Sequence, residues 1–426
     1  MLGKCPFALI LFTVSMISFQ SAPVQGQESS LDVTGQSGPA VEVITQSKIT
    51  SMENPAGAGL LSRFPIHLSI SLGVGYDDNS QTTGTQQGTF FTDGSVVLSY
   101  NLRKERTQIS LSSGADVVYR TSGGTRTSGG TNDVNAHLIL SLSHNISLRL
   151  KLDVSVYAAY RTEPDFSSDV GLNTRSNNYF LTDDSFSAKY DWLLHFSTVT
   201  SYRLRLVQYE GSSLGSLQNR IEDTFGEELR FNLLPLTTLL GEYRFETIDY
   251  DSAPRDSTTH FVLAGVDQSF SPQLRAVARG GATFRSYKND GDRIDPHFEG
   301  SLTYEGAHHL SLRWNATYGI EESNATNVSS RTTFRTGLGL KYGLSARLSS
   351  TVSAYYHHDE NQGGNLSGTV GTGFSEDAFD ISLGVRYAIY RHFNVDLGFE
   401  RSEVISGQSA RGYSRNRYSI GLNFTY

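Results

Sequence analysis

Arginines spaced two or four residues apart recur along the chain: Arg203 with Arg205, Arg275 with Arg279, and Arg331 with Arg335. On an extended backbone each pair shares one face, because alternate residues of a strand point the same way. A planar guanidinium with its fork of donors suits carboxylates and phosphates, and rows of such groups along a channel wall would favour anions. Adding other bases that fall on the same rows gives a candidate pore lining of Arg149, Lys151, Arg203, Arg205, Arg244, Arg275, Arg279, Arg285, Arg313, Arg331 and Arg335. Acids share those rows, among them Asp153, Asp183, Glu222, Glu228, Glu242, Glu299 and Glu321. Bases exceed acids there by about six, an excess that charge rings would turn into anion preference. The same arginines could instead pair with the acids and brace the wall.

Other chemistry is thin. His357-His358-Asp359-Glu360 has the residue types of a metal site, but neighbours on a strand point to opposite faces, which leaves only His357 and Asp359 together. His308-His309 falls at a tight turn and reads as polar rim. Tyr76-Asp77-Asp78-Asn79 could hold a divalent cation at the outer rim, but the expected reading is a solvated loop start. Gly73-Val74-Gly75 opens no helix and is not a phosphate loop. H-E-x-x-H does not appear, and the one match to G-x-S-x-G, Gly211 to Gly215 (GSSLG), falls in a long polar break between strand segments with no helix pattern after it. No catalysis, metal or cofactor is expected.

The elements that would position these side chains repeat from residue 67 to the end. Segments of 12–16 residues alternate apolar with polar or small, the period of a strand with two unlike faces. One face of the clearest segment is Ile146, Leu148, Leu150, Leu152, Val154, Val156, Ala158 and Tyr160; Leu310, Leu312, Trp314, Ala316, Tyr318 and Ile320 form another. Eight tight breaks alternate with nine longer ones rich in Gly, Ser, Asn, Asp and Thr, which predicts about eighteen antiparallel strands. That many strands with apolar faces inward would enclose a space too wide for side chains to fill. With the faces reversed, lipid covers the apolar side, water the other, and closure satisfies every backbone group. Propellers and solenoids would show per-repeat motifs, and none is found. The predicted fold is all-β, a single transmembrane up-and-down barrel over residues 64–426. Tight turns on one rim and long loops on the other place both termini on the periplasmic side.

Composition agrees. The 426 residues include 41 Gly, 22 Tyr and 23 Phe, material for strands rather than helices, and the net charge of −8 gives no reason to expect nucleic acid. Lys4 precedes an apolar stretch, Phe7–Phe19, and Val24-Gln25-Gly26 has cleavage-site character, so residues 1–26 are expected to be a signal peptide. Its removal would take away Cys5, the one cysteine. Residues 27–63, rich in Ser, Gln, Gly and Thr, read as a flexible segment.

Two stretches carry a family resemblance. The run from Tyr418 to the carboxyl-terminal Tyr426 alternates and ends in an aromatic, which looks like the assembly signal of Gram-negative outer-membrane barrels. Leu72 to Ser80, reading LGVGYDDNS, resembles the opening segment of the putative β-barrel porin family associated with exopolysaccharide export. The resemblance implies an outer-membrane location, contact with the barrel assembly machinery through the last strand, and a pore role. The function expected is passive passage of anions or export of an acidic exopolysaccharide, with polysaccharide export components as partners. A barrel plugged by its own loops, displaying 162–177 and 361–373 outside, is the structural alternative. An enzyme with a site on the loop rim is the third.

Overall fold

A computed structural model describes residues 66–121, 132–166, 170, 178–210, 216–252, 255–288, 291–306, 309–323, 328–363, 365–366, 369–370, 373–408 and 411–426. The expected signal peptide of residues 1–26 and the segment 27–63 lie outside them.

The first strands are β1 (Ile66–Asp77), β2 (Thr89–Arg103), β3 (Thr107–Arg120), β4 (Asn132–Asn145), β5 (Leu150–Thr162), β6 (Asn178–Leu193) and β7 (Phe196–Tyr209). Then come β8 (Arg220–Leu234), β9 (Thr237–Tyr250), β10 (Ser257–Ser271), β11 (Leu274–Tyr287), β12 (Arg293–Glu305), β13 (Ser311–Glu321), β14 (Val328–Gly343) and β15 (Leu348–Gly363). A short hairpin, β16 (Asn365–Leu366) with β17 (Thr369–Val370), stands apart in the following loop. The chain ends with β18 (Phe374–Tyr390), β19 (Phe393–Ser406) and β20 (Tyr413–Thr425). Each barrel strand pairs antiparallel with the next, and β1 pairs with β20 from Ser69↔Thr425 to Asp77↔Arg417, closing an 18-stranded barrel.

Alternation decides which way each strand faces. Leu72 is 65 % exposed and Val262 54 %, whereas Arg279 is 6 % and Asp359 2 % exposed. Apolar outside and charged inside is the reverse of a soluble protein, and a hydrocarbon surround is the setting in which it is stable. Aromatic contacts gather at two levels of the outer face. Tyr190 with Trp192 and Phe393 with Phe424 lie near the tight turns; Tyr76 with Phe90 and Phe298 with Tyr318 lie nearer the long loops. Such belts mark the two bilayer interfaces.

One boundary departs from expectation. Ile146 and Leu148 were predicted to open a strand, but β5 begins at Leu150. The Ser147 hydroxyl accepts from the backbone N–H of Arg149 (3.2 Å) and Leu150 (3.0 Å), and the Ile146 N–H donates to the Leu150 carbonyl. A serine that folds the backbone onto its own side chain makes a turn out of an alternating stretch.

Candidate functional site: a braced lumen crossed by a loop

Of the predicted pore-lining bases, Arg149 is misplaced: it is exposed in the tight turn before β5, at the rim and not on the wall. Lys151, Arg203, Arg205, Arg244, Arg275, Arg279, Arg285, Arg313, Arg331 and Arg335 all lie on the inward rows of their strands, each in an ion pair. Several pairs span more than neighbouring strands. Arg244 on β9 reaches Glu299 on β12 at 2.7 Å, Arg279 on β11 reaches Glu228 on β8 at 2.6 Å, and Arg230 on β8 reaches Asp267 on β10 at 2.8 Å. Strands stand about 4.8 Å apart, so such links close only on the concave side of a sheet.

The wall is also richer in acid than expected. Asp77, Asp93, Asp133, Asp267, Asp359 and Glu376 join the predicted acids on inward rows. They offset the expected surplus of bases. Asp183 holds Arg203 at 2.5 Å and Arg205 at 3.2 Å, and Glu222 takes Arg205 and Arg220. Arg279 touches Glu228, Glu242 and Glu299 at once. Charge-assisted bonds of this kind fix planar groups in place.

His357 points inward, 4 % exposed, and its neighbour His358 points outward to Asp377 at 2.8 Å. Asp359 is taken by Arg331 at 3.1 Å and by the Thr333 hydroxyl. Tyr76-Asp77-Asp78-Asn79 is not the solvated loop start that was expected. Asp77, fully buried, holds Arg415 of β20 at 2.6 Å. Asp78 accepts from the backbone N–H and the side-chain amide of Asn416, both at 2.7 Å, and the Asn79 amide donates to the Ser414 carbonyl at 2.9 Å. The motif closes the seam between the first and last strands. Gly75 belongs to it for a steric reason: a side chain there would run into the Tyr418 carbonyl and the Phe91 ring.

Sequence reasoning missed what fills the long-loop end of the lumen. The loop after β5 does not stay outside. Phe166, four residues beyond the end of β5, packs against Ala378, Val404 and Tyr413 on β18, β19 and β20, with its ring 6.3 Å from that of His357. Strands β1 to β4 separate β5 from β20 along the wall, so the chain crosses the interior to get there. Val170 lies back among Tyr179, Leu181, Val207 and Tyr209 on β6 and β7, its carbonyl accepting from the Tyr209 hydroxyl at 2.8 Å. Tyr179 donates to Asp165 at 2.9 Å, and Glu163 is 1 % exposed. Of the loop expected to be displayed outside, 162–177, residues 163–166 and Val170 therefore lie inside the barrel, and the rest of it lies outside the described residues.

Arg255, between β9 and β10, joins two other loops. Its Nη1 donates to the carbonyls of Ser323 (2.9 Å) and Val328 (3.3 Å), and its Nη2 to the Leu217 carbonyl (3.1 Å) and Gln218 Oε1 (2.9 Å). The guanidinium lies over the Tyr250 ring, 4.4 Å from its centre. The signal for the arm was available: Phe166 and Val170 are apolar residues in a largely polar loop, and such residues need cover.

A cavity of about 160 Å³ remains, bounded by Phe166, Phe261, Tyr355 and His357. Its charged lining is Arg203, Arg205, Arg220, Arg244, Arg285 and Arg335 with Glu222, Glu246, Glu299, Glu321 and Glu322. Six bases against five acids, with Asp183 on two of the arginines, leave little uncompensated charge. Reversing Arg279 to Glu should therefore place four carboxylates together and lower stability by about 3–5 kcal/mol, the cost of breaking a buried pair. Arg275→Glu, whose side chain is 26 % exposed and pairs with Asp267, should fold. Urea titration of the two variants in lipid checks the contrast; equal losses contradict it.

Comparison with known proteins agrees with the architecture. Residues 58–426 match the family model described as Putative beta-barrel porin 2. No curated protein matches. Among solved structures, the siderophore receptor PirA from Acinetobacter baumannii aligns at 8 % identity and a TM-score of 0.42, covering 85 % of this chain and 81 % of the receptor. OccK9 (OpdG) from Pseudomonas aeruginosa aligns at 11 % identity and 0.42, covering 85 % and 98 %, and OpdK with vanillate, from the same organism, at 11 % and 0.40, covering 85 % and 99 %. With inverted faces, a closed wall and a family match across the whole of the barrel, the chain belongs to the putative β-barrel porins and is an outer-membrane β-barrel.

Proposed function

We propose that the barrel is a passive channel for small polar solutes, with its tight turns and both termini in the periplasm and its long loops outside. The observation that carries this reading is the inward placement of residues 163–166 and of Val170, which narrows the lumen and leaves a polar cavity of about 160 Å³ beside it. Small anions are suitable cargo, since Arg203 and Arg335 line the cavity. Because acids nearly balance the bases, any anion preference should be weak. Export of an acidic exopolysaccharide, the cargo implied by the family resemblance, has less support, since a polymer would need the arm displaced. The strand ending at Tyr426 is the proposed contact with the barrel assembly machinery. Arg149, at the rim, drops out of the proposed lining.

The crowded long-loop end also favours a second reading, a barrel closed by its own loops. Planar-bilayer recording separates the two. Stepwise conductance with a reversal potential near zero in a potassium chloride gradient, shifted slightly toward chloride, is expected. Silence at all voltages would select the closed barrel, and a strong cation preference would defeat the proposed lining.

A further inference from the structure

We infer that two copies of the barrel meet through the outer face of β6–β10, with Glu227 at the centre of the contact. Glu227 is the eighth of the fifteen residues of β8 and shares its outward row with Phe225 and Leu229, each 49 % exposed. Among the described residues, the other outward acids and arginines of barrel strands lie in the half of the strand nearer the long loops: Asp184, Asp223, Asp249, Glu360, Asp377, Arg401 and Glu403. Glu227 is the most central of them, at a depth where acyl chains offer no donor, and Asp184, seventh of the sixteen residues of β6, comes next. A charged group at that depth costs free energy, and polar side chains there are retained to bind across an interface.

Its surroundings describe the other side of that interface. The Thr200 hydroxyl donates to one Glu227 oxygen at 2.6 Å, and the next outward residue of β7 is Thr198, whose hydroxyl oxygen already accepts from Trp192 Nε1 at 3.1 Å. That leaves the Thr198 O–H as a donor to the membrane side. Beside them β9 carries Gly241, with no atom within 4 Å of the place a Cβ would take, and Ala264 of β10 is its register partner. A notch of small residues lets two sheet faces approach closely. The face thus holds a carboxylate acceptor, a hydroxyl donor and a hollow side by side. A two-fold axis through it would set each copy's Thr198 against the other's Glu227, as a self-complementary patch requires. An identical chain is therefore the occupant, since one face supplies both halves of the contact.

Mass measurement on single lipid nanodiscs, assembled at high lipid excess, tests this independently of any channel activity. The wild-type barrel is expected as two chains per disc. Glu227→Leu should give single chains with the conductance per barrel unchanged, and Gly241→Trp should do the same by filling the notch. Leu72→Trp, on the remote outer face of β1, should remain paired. Gel mobility before and after heating confirms that each variant is folded. Single chains for the wild type, or paired chains in both Glu227→Leu and Gly241→Trp, overturn the inference.

Discussion

Asp77→Ala should lower the stability of the folded barrel by about 3–5 kcal/mol, the range for removing one partner of a buried ion pair. Asp77 has no exposed surface, and the Arg415 side chain it holds is 8 % exposed. Alanine would leave that guanidinium buried without its bidentate partner, at the one pairing whose two strands are not joined by a neighbouring turn. Asp77→Asn keeps the shape and one acceptor and should lose less. Folding yield into lipid vesicles and urea midpoints check the order; an alanine variant as stable as the wild type would mean that backbone pairing alone holds the seam.

Excising residues 164–170, with a Gly-Ser bridge in their place, should raise single-channel conductance several-fold and let larger neutral solutes through. Phe166 stands between the cavity and β18–β20, and the apolar cluster around Val170 ties the arm to β6 and β7. Removing both opens cross-section without touching a wall strand. Phe166→Ala alone should give a smaller increase, because Val170 and the Tyr179–Asp165 bond stay. Polymer-exclusion measurements with graded polyethylene glycols give the size. An unchanged cutoff would show that the narrowest point lies elsewhere, for instance at the Arg255 junction.

The barrel was legible because lipid on one side and polar surface on the other enforce a strict period of two, and a slip of one residue would expose every face wrongly. Eighteen strands and the alternation of short and long connections follow from that pattern. The start of β5 was hidden because Ser147 forms its turn inside an unbroken alternation. Inward rows could be assigned, but their extent could not. Asp359 reads as a residue at a loop flank, yet β15 runs to Gly363, which carries it onto the wall. The path of the arm after β5 depends on contacts between residues some two hundred positions apart, such as Phe166 with Ala378, and no local periodicity encodes those. The LGVGYDDNS stretch was visible as a signature, but its partners Arg415 and Asn416 lie 338 residues away.

That separation has a consequence for biogenesis. The groups that join β1 to β20 come from opposite extremities of the polypeptide, so the cylinder stays an open sheet with two raw margins until the last dozen residues arrive. A chain cut short before Arg415 would present a sticky border to its neighbours instead of a finished ring.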